Sequence, residues 1–96
     1  MVDKLRDAGM DELFDAILSL NTVDECYNFF EDLCTAAELK AMGQRFQVAK
    51  LLDKGLSYNF IVEKTGASTA TISRVNRSLL YGNDGYKTII ERSGKK

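Results

Sequence analysis

Hydrophobic residues recur at helical spacing through the first third of the chain. They form two groups, Met10, Leu13, Phe14, Ile17 and Leu18, followed by Val23, Cys26, Tyr27, Phe30, Leu33 and Cys34. Positions three and four apart share one side of a helix, so each group predicts an amphipathic helix. Each apolar stripe covers roughly 160° of the helical wheel, which is wider than a small helical domain needs to close one core.

Capping signals indicate where helices begin and end. Thr22-Val-Asp-Glu25 and Thr35-Ala-Ala-Glu38 both fit the capping box, in which a hydroxyl and a glutamate satisfy the first backbone N–H groups. The second box opens a long helix that Gly55 closes, and Gly82-Asn-Asp-Gly85 predicts a turn before a last short helix over 86–92. Because the chain has no proline and no sustained alternating run, we predict an all-α fold of about six helices.

Residues 57–80 carry the pattern of a helix-turn-helix. Gly66 supplies the small residue needed where two helices cross steeply, and Ser68 is a good N-cap for the second helix. Apolar residues occupy the positions where these helices would press on each other and on the body of the domain, namely Ile61, Val62, Ala67, Ile72 and Val75. This pattern makes double-stranded DNA the expected partner.

The predicted DNA contacts are the outward-facing residues at the start of both helices and along the second. They are Ser57, Tyr58, Asn59, Ser68, Thr69, Ala70, Thr71, Ser73, Arg74 and Arg77. A capped helix start offers free backbone N–H groups to phosphate, and small residues let a helix enter the major groove. Two alternatives stay open: an ordinary helical hairpin in which the glycine is only a C-cap, and a helical protein-interaction module without DNA affinity.

The charge distribution supports the DNA hypothesis once the chain is divided. The formal net charge is −1, but residues 1–35 hold nine acidic and two basic residues, whereas residues 36–96 hold eleven basic and five acidic residues. The positive charge therefore lies in the part that contains the helix-turn-helix, where phosphate would bind.

A chain of 96 residues is expected to form a single domain. We predict a flexible arm over 1–9, dimerisation helices over 10–54, the helix-turn-helix over 57–80 and a C-terminal helix over 86–92. The wide stripes of the first two helices and the usual two-fold binding of helix-turn-helix proteins favour an intertwined homodimer. Its recognition helices would lie about 34 Å apart over a palindromic operator.

Other chemistry finds little support in the composition. Cys26 and Cys34 are eight residues apart and the chain has no histidine, so we predict reduced thiols and no metal site. No catalytic constellation, glycine-rich phosphate loop, signal peptide or apolar span of roughly 20 residues is present. We therefore expect a cytoplasmic protein without membrane association, enzymatic activity or a bound cofactor.

From Thr35 to Leu80 the chain resembles the Trp repressor family. The resemblance is carried by Thr35-Ala-Ala-Glu38, Gly43-Gln-Arg45, Leu51-Leu52, Gly55-Leu-Ser57, and Gly66-Ala67 followed by Ala70-Thr-Ile-Ser-Arg74. Tyr81-Gly82 and Gly85-Tyr86 resemble the YerC/YecD branch of Trp-repressor-like proteins. The resemblance implies an intertwined all-helical dimer that represses transcription.

The resemblance also implies a corepressor pocket, in which two arginines enclose an indole ring. Arg45 and Arg74 match those arginines, and Ser78 matches the hydroxyl that helps hold the ligand's amino group. The glycine that follows the second arginine in tryptophan-binding members is Val75 here. In the family, the partner subunit closes the pocket with the residues before the second capping box, and here these are Asp32-Leu33-Cys34, which include a carboxylate in place of an apolar residue. We expect that L-tryptophan is not required, that any small-molecule corepressor is a different compound, and that the arginines contact phosphate or form a salt bridge instead.

Overall fold

The computed structural model describes residues 2–94, and these residues form an all-α protein. A turn of 3-10 helix at Val2–Leu5 comes first. The α-helices that follow are α1 (Ala8–Leu18), α2 (Val23–Leu33), α3 (Ala36–Asp53), α4 (Tyr58–Thr65), α5 (Thr69–Tyr81) and α6 (Gly85–Ser93). The predicted fold class, with about six helices, is confirmed.

The capping signals act where the sequence places them. The Thr22 side chain accepts a hydrogen bond from the Glu25 N–H at 3.0 Å, and the Glu25 carboxylate accepts one from the Asn21 N–H at 2.8 Å. The Thr22 bond satisfies an N–H group that a helix start leaves without an intrahelical partner, and the Glu25 bond ties the residue before the cap to the first turn. Local hydrogen bonding thus fixes the start of α2.

The N-terminal arm, for which we predict flexibility over residues 1–9, contains regular secondary structure. Val2–Leu5 forms a turn of 3-10 helix, and α1 begins at Ala8. Asp7 explains why α1 begins at Ala8. Its backbone is extended and its carboxylate accepts the Met10 N–H at 2.8 Å, which makes it the N-cap of the helix. Gly9, a poor helix former in the first turn, hides this cap in the sequence. Met1 lies outside the described residues.

The described residues divide into two compact units. The N-terminal unit extends to Thr35, and the C-terminal unit begins at Ala36. The boundary between the units lies within the predicted dimerisation segment 10–54, and α3 packs with the helix-turn-helix. The physical reason is burial: Val48 and Ala49 of α3 are fully buried in the core of the C-terminal unit.

The core of the C-terminal unit is small and continuous. Ile61 of α4 and Ile72 of α5 are fully buried, and Val75 is 3% exposed. Ala67, in the turn between α4 and α5, completes the cluster with Val48 and Ala49. Tyr86 and Ile90 of α6 pack against this core from outside.

The N-terminal unit has no comparable core, since neither α1 nor α2 contains a buried residue. Leu18 is 82% exposed, Val23 is 70% exposed and Phe14 is half exposed. The rings of Phe29 and Phe30 meet edge to face with centroids 5.4 Å apart, which is a contact within α2 itself. The apolar stripes predicted from the sequence are thus present, and within the N-terminal unit none of their residues is buried.

No helix between residues 2 and 94 has the length and apolar character needed to cross a membrane.

Candidate nucleic-acid interface and adjoining cavity

The turn between α4 and α5 is fixed by a set of short-range hydrogen bonds. Gly66 has φ of +75°, a left-handed conformation that side chains disfavour, and its N–H donates to the Val62 carbonyl. The Thr65 hydroxyl donates to the Ile61 carbonyl at 2.7 Å and accepts the Ala67 N–H at 3.1 Å. Gln44 of α3 donates to the Thr65 carbonyl at 3.2 Å, which ties the turn to the body of the unit. The crossing of α4 and α5 is therefore held from within and from α3.

Both helices of the pair begin at a serine cap. The Ser57 side chain accepts the Phe60 N–H at 3.2 Å, and the Ser68 side chain accepts the Thr71 N–H at 3.1 Å. Ser68 also donates to the Thr71 hydroxyl at 3.2 Å. A capped helix start presents its remaining N–H groups and the positive end of the helix dipole to solvent, where an anion can bind.

Helix α5 is divided into a buried and an exposed side. Its buried residues, Ile72, Val75 and Leu79, lie within about 60° of one another at 100° per residue. Its exposed predicted contacts occupy an arc of about 140° on another side. They are Thr69, Ala70, Ser73, Arg74 and Arg77. Helix α5 contains no acidic residue, so this exposed side carries the two arginine charges unopposed within the helix.

The predicted DNA contacts fall into two groups in the structure. Ser57, Asn59 and Ser68 are exposed, as are the five residues on the outer side of α5. Two others differ, because Tyr58 packs against the core and Thr71 is half buried. Spacing alone placed both on the outer surface, whereas packing against neighbouring elements turns them partly inward.

A cavity of about 330 Å³ adjoins the exposed side of α5. Residues of the three helices α3, α5 and α6 form its wall. The lining residues are Ala41, Gln44, Arg45, Thr71, Arg74, Val75, Ser78 and Tyr86. The structure thus brings Arg45, Arg74 and Ser78, the three predicted ligand residues, to one cavity, with Val75 beside them.

Sequence reasoning assigned no cavity role to Ala41, Gln44, Thr71 or Tyr86. Ala41 and Thr71 could have been found from helix periodicity, because they precede Arg45 and Arg74 by four and three residues. Tyr86 gave no such signal, since it comes from α6. Its position depends on Gly82, where any side chain would collide with the Ser78 carbonyl oxygen that accepts the Gly82 N–H.

Metal binding finds no support in the part of the chain that the structure describes. No group of three or more Cys, Asp or Glu side chains could hold an ion there. Cys26 and Cys34 are free thiols and half buried.

Comparisons with known proteins agree with this architecture. The sequence model of the family described as Trp repressor protein matches residues 8–94. The uncharacterised protein YerC of Bacillus subtilis is 53% identical over 91 residues, which cover 95% of this chain and 88% of that protein.

Two solved structures are also similar. One is the crystal structure of a candidate Trp repressor from Staphylococcus aureus, with 53% identity and a TM-score of 0.95, covering 100% of this chain and 96% of that one. The other is a TrpR-like protein from Eubacterium eligens, with 58% identity and a TM-score of 0.94, covering 97% of this chain and 96% of that one.

Proposed function

Since the chain belongs to the Trp repressor family, we propose that it is a sequence-specific DNA-binding transcriptional regulator that uses α5 as its recognition helix. The observation that carries this proposal is the outer side of α5. Small hydroxyl side chains and two arginines are exposed there, on a helix that a serine caps and that contains no acidic residue. These are the features that a helix needs to enter a major groove and bind phosphate.

We propose different roles for two residues of this surface. Arg77 contacts a backbone phosphate, and Thr69 contacts base edges near the start of the helix. Arg77→Ala should weaken binding to all sequences about equally and reduce the salt slope by about one, because one phosphate contact is lost. Thr69→Ala should instead change sequence preference.

Mobility-shift titrations at several salt concentrations test these roles. Arg92→Ala, which removes one positive charge from α6, is the matched control and should have the smaller effect on affinity. If neither Arg77→Ala nor Thr69→Ala changed affinity or preference, the recognition surface would be misassigned. Absence of heparin retention at low salt would favour the protein-interaction module instead.

We further propose that the protein acts as a homodimer on a palindromic operator. The support is the apolar surface of α1 and α2, neither of which contains a buried residue and on which Leu18 is 82% and Val23 70% exposed. A second copy would bury it, and a two-fold dimer would present two recognition helices about 34 Å apart. Light scattering of the unmodified protein at micromolar concentration tests this, and a folded monomer would contradict it.

We propose that DNA binding does not require L-tryptophan. Val75 is almost fully buried and forms the cavity wall next to Arg74, where tryptophan-binding members have a glycine. Its two methyl groups restrict the space for a planar ring beside the Arg74 backbone. Calorimetric titration should show no tight, saturable tryptophan binding.

Val75→Gly and Val75→Ala provide the comparison for that titration. Both enlarge the cavity, but only glycine adds a helix cost of roughly 1 kcal/mol. Tight tryptophan binding by the unmodified protein would show that the valine is accommodated and that this view of the cavity is wrong.

A further inference from the structure

One side-chain hydrogen bond joins α3 to the end of α4. The Gln44 amide of α3 donates to the Thr65 carbonyl at 3.2 Å, and both residues are half buried. They are 21 positions apart in the chain, whereas the capping bonds of Ser57 and Ser68 span three residues. The bond therefore depends on the packing of one helix against another and not on local helix structure.

Thr65 is the last residue of α4, and it connects this bond to the turn before α5. Its carbonyl is one of the groups that a helix end leaves without an intrahelical partner, and Gln44 supplies the donor. Its hydroxyl donates to the Ile61 carbonyl and accepts the Ala67 N–H, one residue before the Ser68 cap. One residue thus joins α3, the end of α4 and the start of α5.

The apolar contacts between α3 and the helix pair do not by themselves select one orientation of the pair. Val48 of α3, Ile61 of α4 and Ile72 of α5 are fully buried in one cluster. Apolar attraction has no preferred direction, whereas a hydrogen bond requires a distance of about 3 Å and a defined angle. Gln44 lies one turn before Val48 on the same side of α3, so it adds a directional contact beside this cluster.

The orientation of the helix pair on α3 determines where α5 lies in a dimer. The proposed dimer buries the apolar stripes of α1 and α2, and the chain passes from that unit into α3 at Ala36. Helix α5 in turn packs against α3. The separation of two recognition helices therefore depends on the angle at which each helix pair lies on its own α3.

We propose that Gln44 is a positioning residue for DNA recognition, because its bond to Thr65 holds α4 and α5 in the orientation that matches the spacing of the two half-sites. The inference rests on the proposed function and on the proposed homodimer. Loss of the bond leaves the outer side of α5 unchanged but lets the helix pair adopt several orientations. DNA then binds only the matching fraction of molecules, and the apparent affinity falls by that fraction.

Nuclear magnetic resonance tests the bond in the unmodified protein. The hydrogen-bonded Nε2 proton of Gln44 should exchange with solvent about tenfold more slowly than the side-chain amide protons of Gln47, an exposed glutamine of the same helix. Equal exchange of the two side chains would overturn the inference. Gln44→Leu removes the donor, Gln47→Leu is the matched control, and both should keep the helix content and nearly the urea midpoint of the unmodified protein. Gln44→Met, which keeps the side-chain length, takes the place of Gln44→Leu if the latter does not fold.

Mobility shifts test the positioning role on an operator selected with the unmodified protein, and on the same operator with one base pair inserted or removed between its half-sites. One base pair changes the half-site separation by about 3.4 Å. The unmodified protein and Gln47→Leu should lose about tenfold or more in affinity on either altered operator, and Gln44→Leu about threefold or less. On the selected operator Gln44→Leu should bind about three- to tenfold more weakly, with unchanged base preference and salt slope. Thr65→Ser, which keeps the carbonyl and the hydroxyl, should behave as the unmodified protein.

The spacing dependence separates positioning from a purely structural role. If Gln44 only stabilised the fold, Gln44→Leu would lower the urea midpoint and lose as much affinity on the altered operators as the unmodified protein does, and this result would overturn the inference. A changed base preference or a lower salt slope in Gln44→Leu would also overturn it, because the side chain would then contact DNA directly. An unmodified protein that binds no duplex would refute the proposed function and the role in recognition, while slow exchange of the Gln44 proton would leave the hydrogen bond itself in place.

Discussion

The two units of the chain differ in how far they bury their own apolar side chains. The C-terminal unit encloses its own core, with Val48, Ile61 and Ile72 fully buried, and it carries a net positive charge. The N-terminal unit has apolar stripes of similar quality on α1 and α2 but buries none of their residues, and it is strongly acidic. Amphipathic patterning therefore predicts which side of a helix is apolar, and it does not predict which molecule covers that side.

This difference has a consequence for stability. Burying an apolar side chain contributes roughly 1.5–3 kcal/mol, and the exposed residues of α1 and α2 contribute little of this within one chain. If a second copy covers them, the stability of the N-terminal unit depends on protein concentration. The C-terminal unit already has a packed core in the single chain.

The largest expected effect is that of Phe30→Asp in the N-terminal unit. Phe30 is half buried in the single chain and lies centrally in the α2 stripe, so a dimer would bury the new carboxylate without a partner. We expect loss of the dimer and little folded protein, measured by sedimentation equilibrium and circular dichroism. Asn28→Asp adds the same charge at an exposed position of α2 and should remain dimeric. A dimeric, folded Phe30→Asp variant would show that this stripe is not the interface.

A smaller effect is expected for Ile72→Ala in the C-terminal unit. Ile72 is fully buried between the helices of the core, and truncation should lower the free energy of unfolding by about 2–5 kcal/mol. Ile89→Ala, at a residue that is 47% exposed, should cost less than half as much. Urea denaturation measures both, and equal costs would mean that Ile89 is covered in solution.

The smallest effects concern the helix caps, which should matter equally in the two units. Ser68→Ala removes the cap of α5 and Thr22→Ala removes that of α2, and each should lower the free energy of unfolding by about 1 kcal/mol. Thermal unfolding of both variants provides the measurement, with Ser73→Ala, an exposed residue within α5, as control. If only one of the two cap variants lost stability, the assumption that each cap stabilises its helix through local hydrogen bonds alone would be contradicted.

Features that depend on neighbouring residues could be predicted from the sequence. The Thr22 and Ser68 caps, the Gly66 bend and the buried Ile61 and Ile72 all lie where spacing placed them. Each depends on contacts within a few residues or on a regular helical period, both of which the sequence displays directly.

Features that depend on packing between distant elements could not be predicted. Tyr58 turns toward the core, and Tyr86 reaches the cavity because the turn at Gly82 sets the direction of α6. The Asp7 cap was missed for another reason, since Gly9 weakens the helix pattern that would have revealed it. The cavity itself follows from three helices whose relative positions no single segment encodes.

The central claim is that two copies of α5 read DNA in a two-fold arrangement, and selection of bound sequences from a random duplex pool tests it most directly. We expect the unmodified protein to enrich an inverted repeat whose half-site centres lie about one helical turn, 10–10.5 base pairs, apart. Thr69→Ala should change the half-site preference and keep the spacing. Enrichment of no motif, or of a single unrepeated site, would contradict the claim.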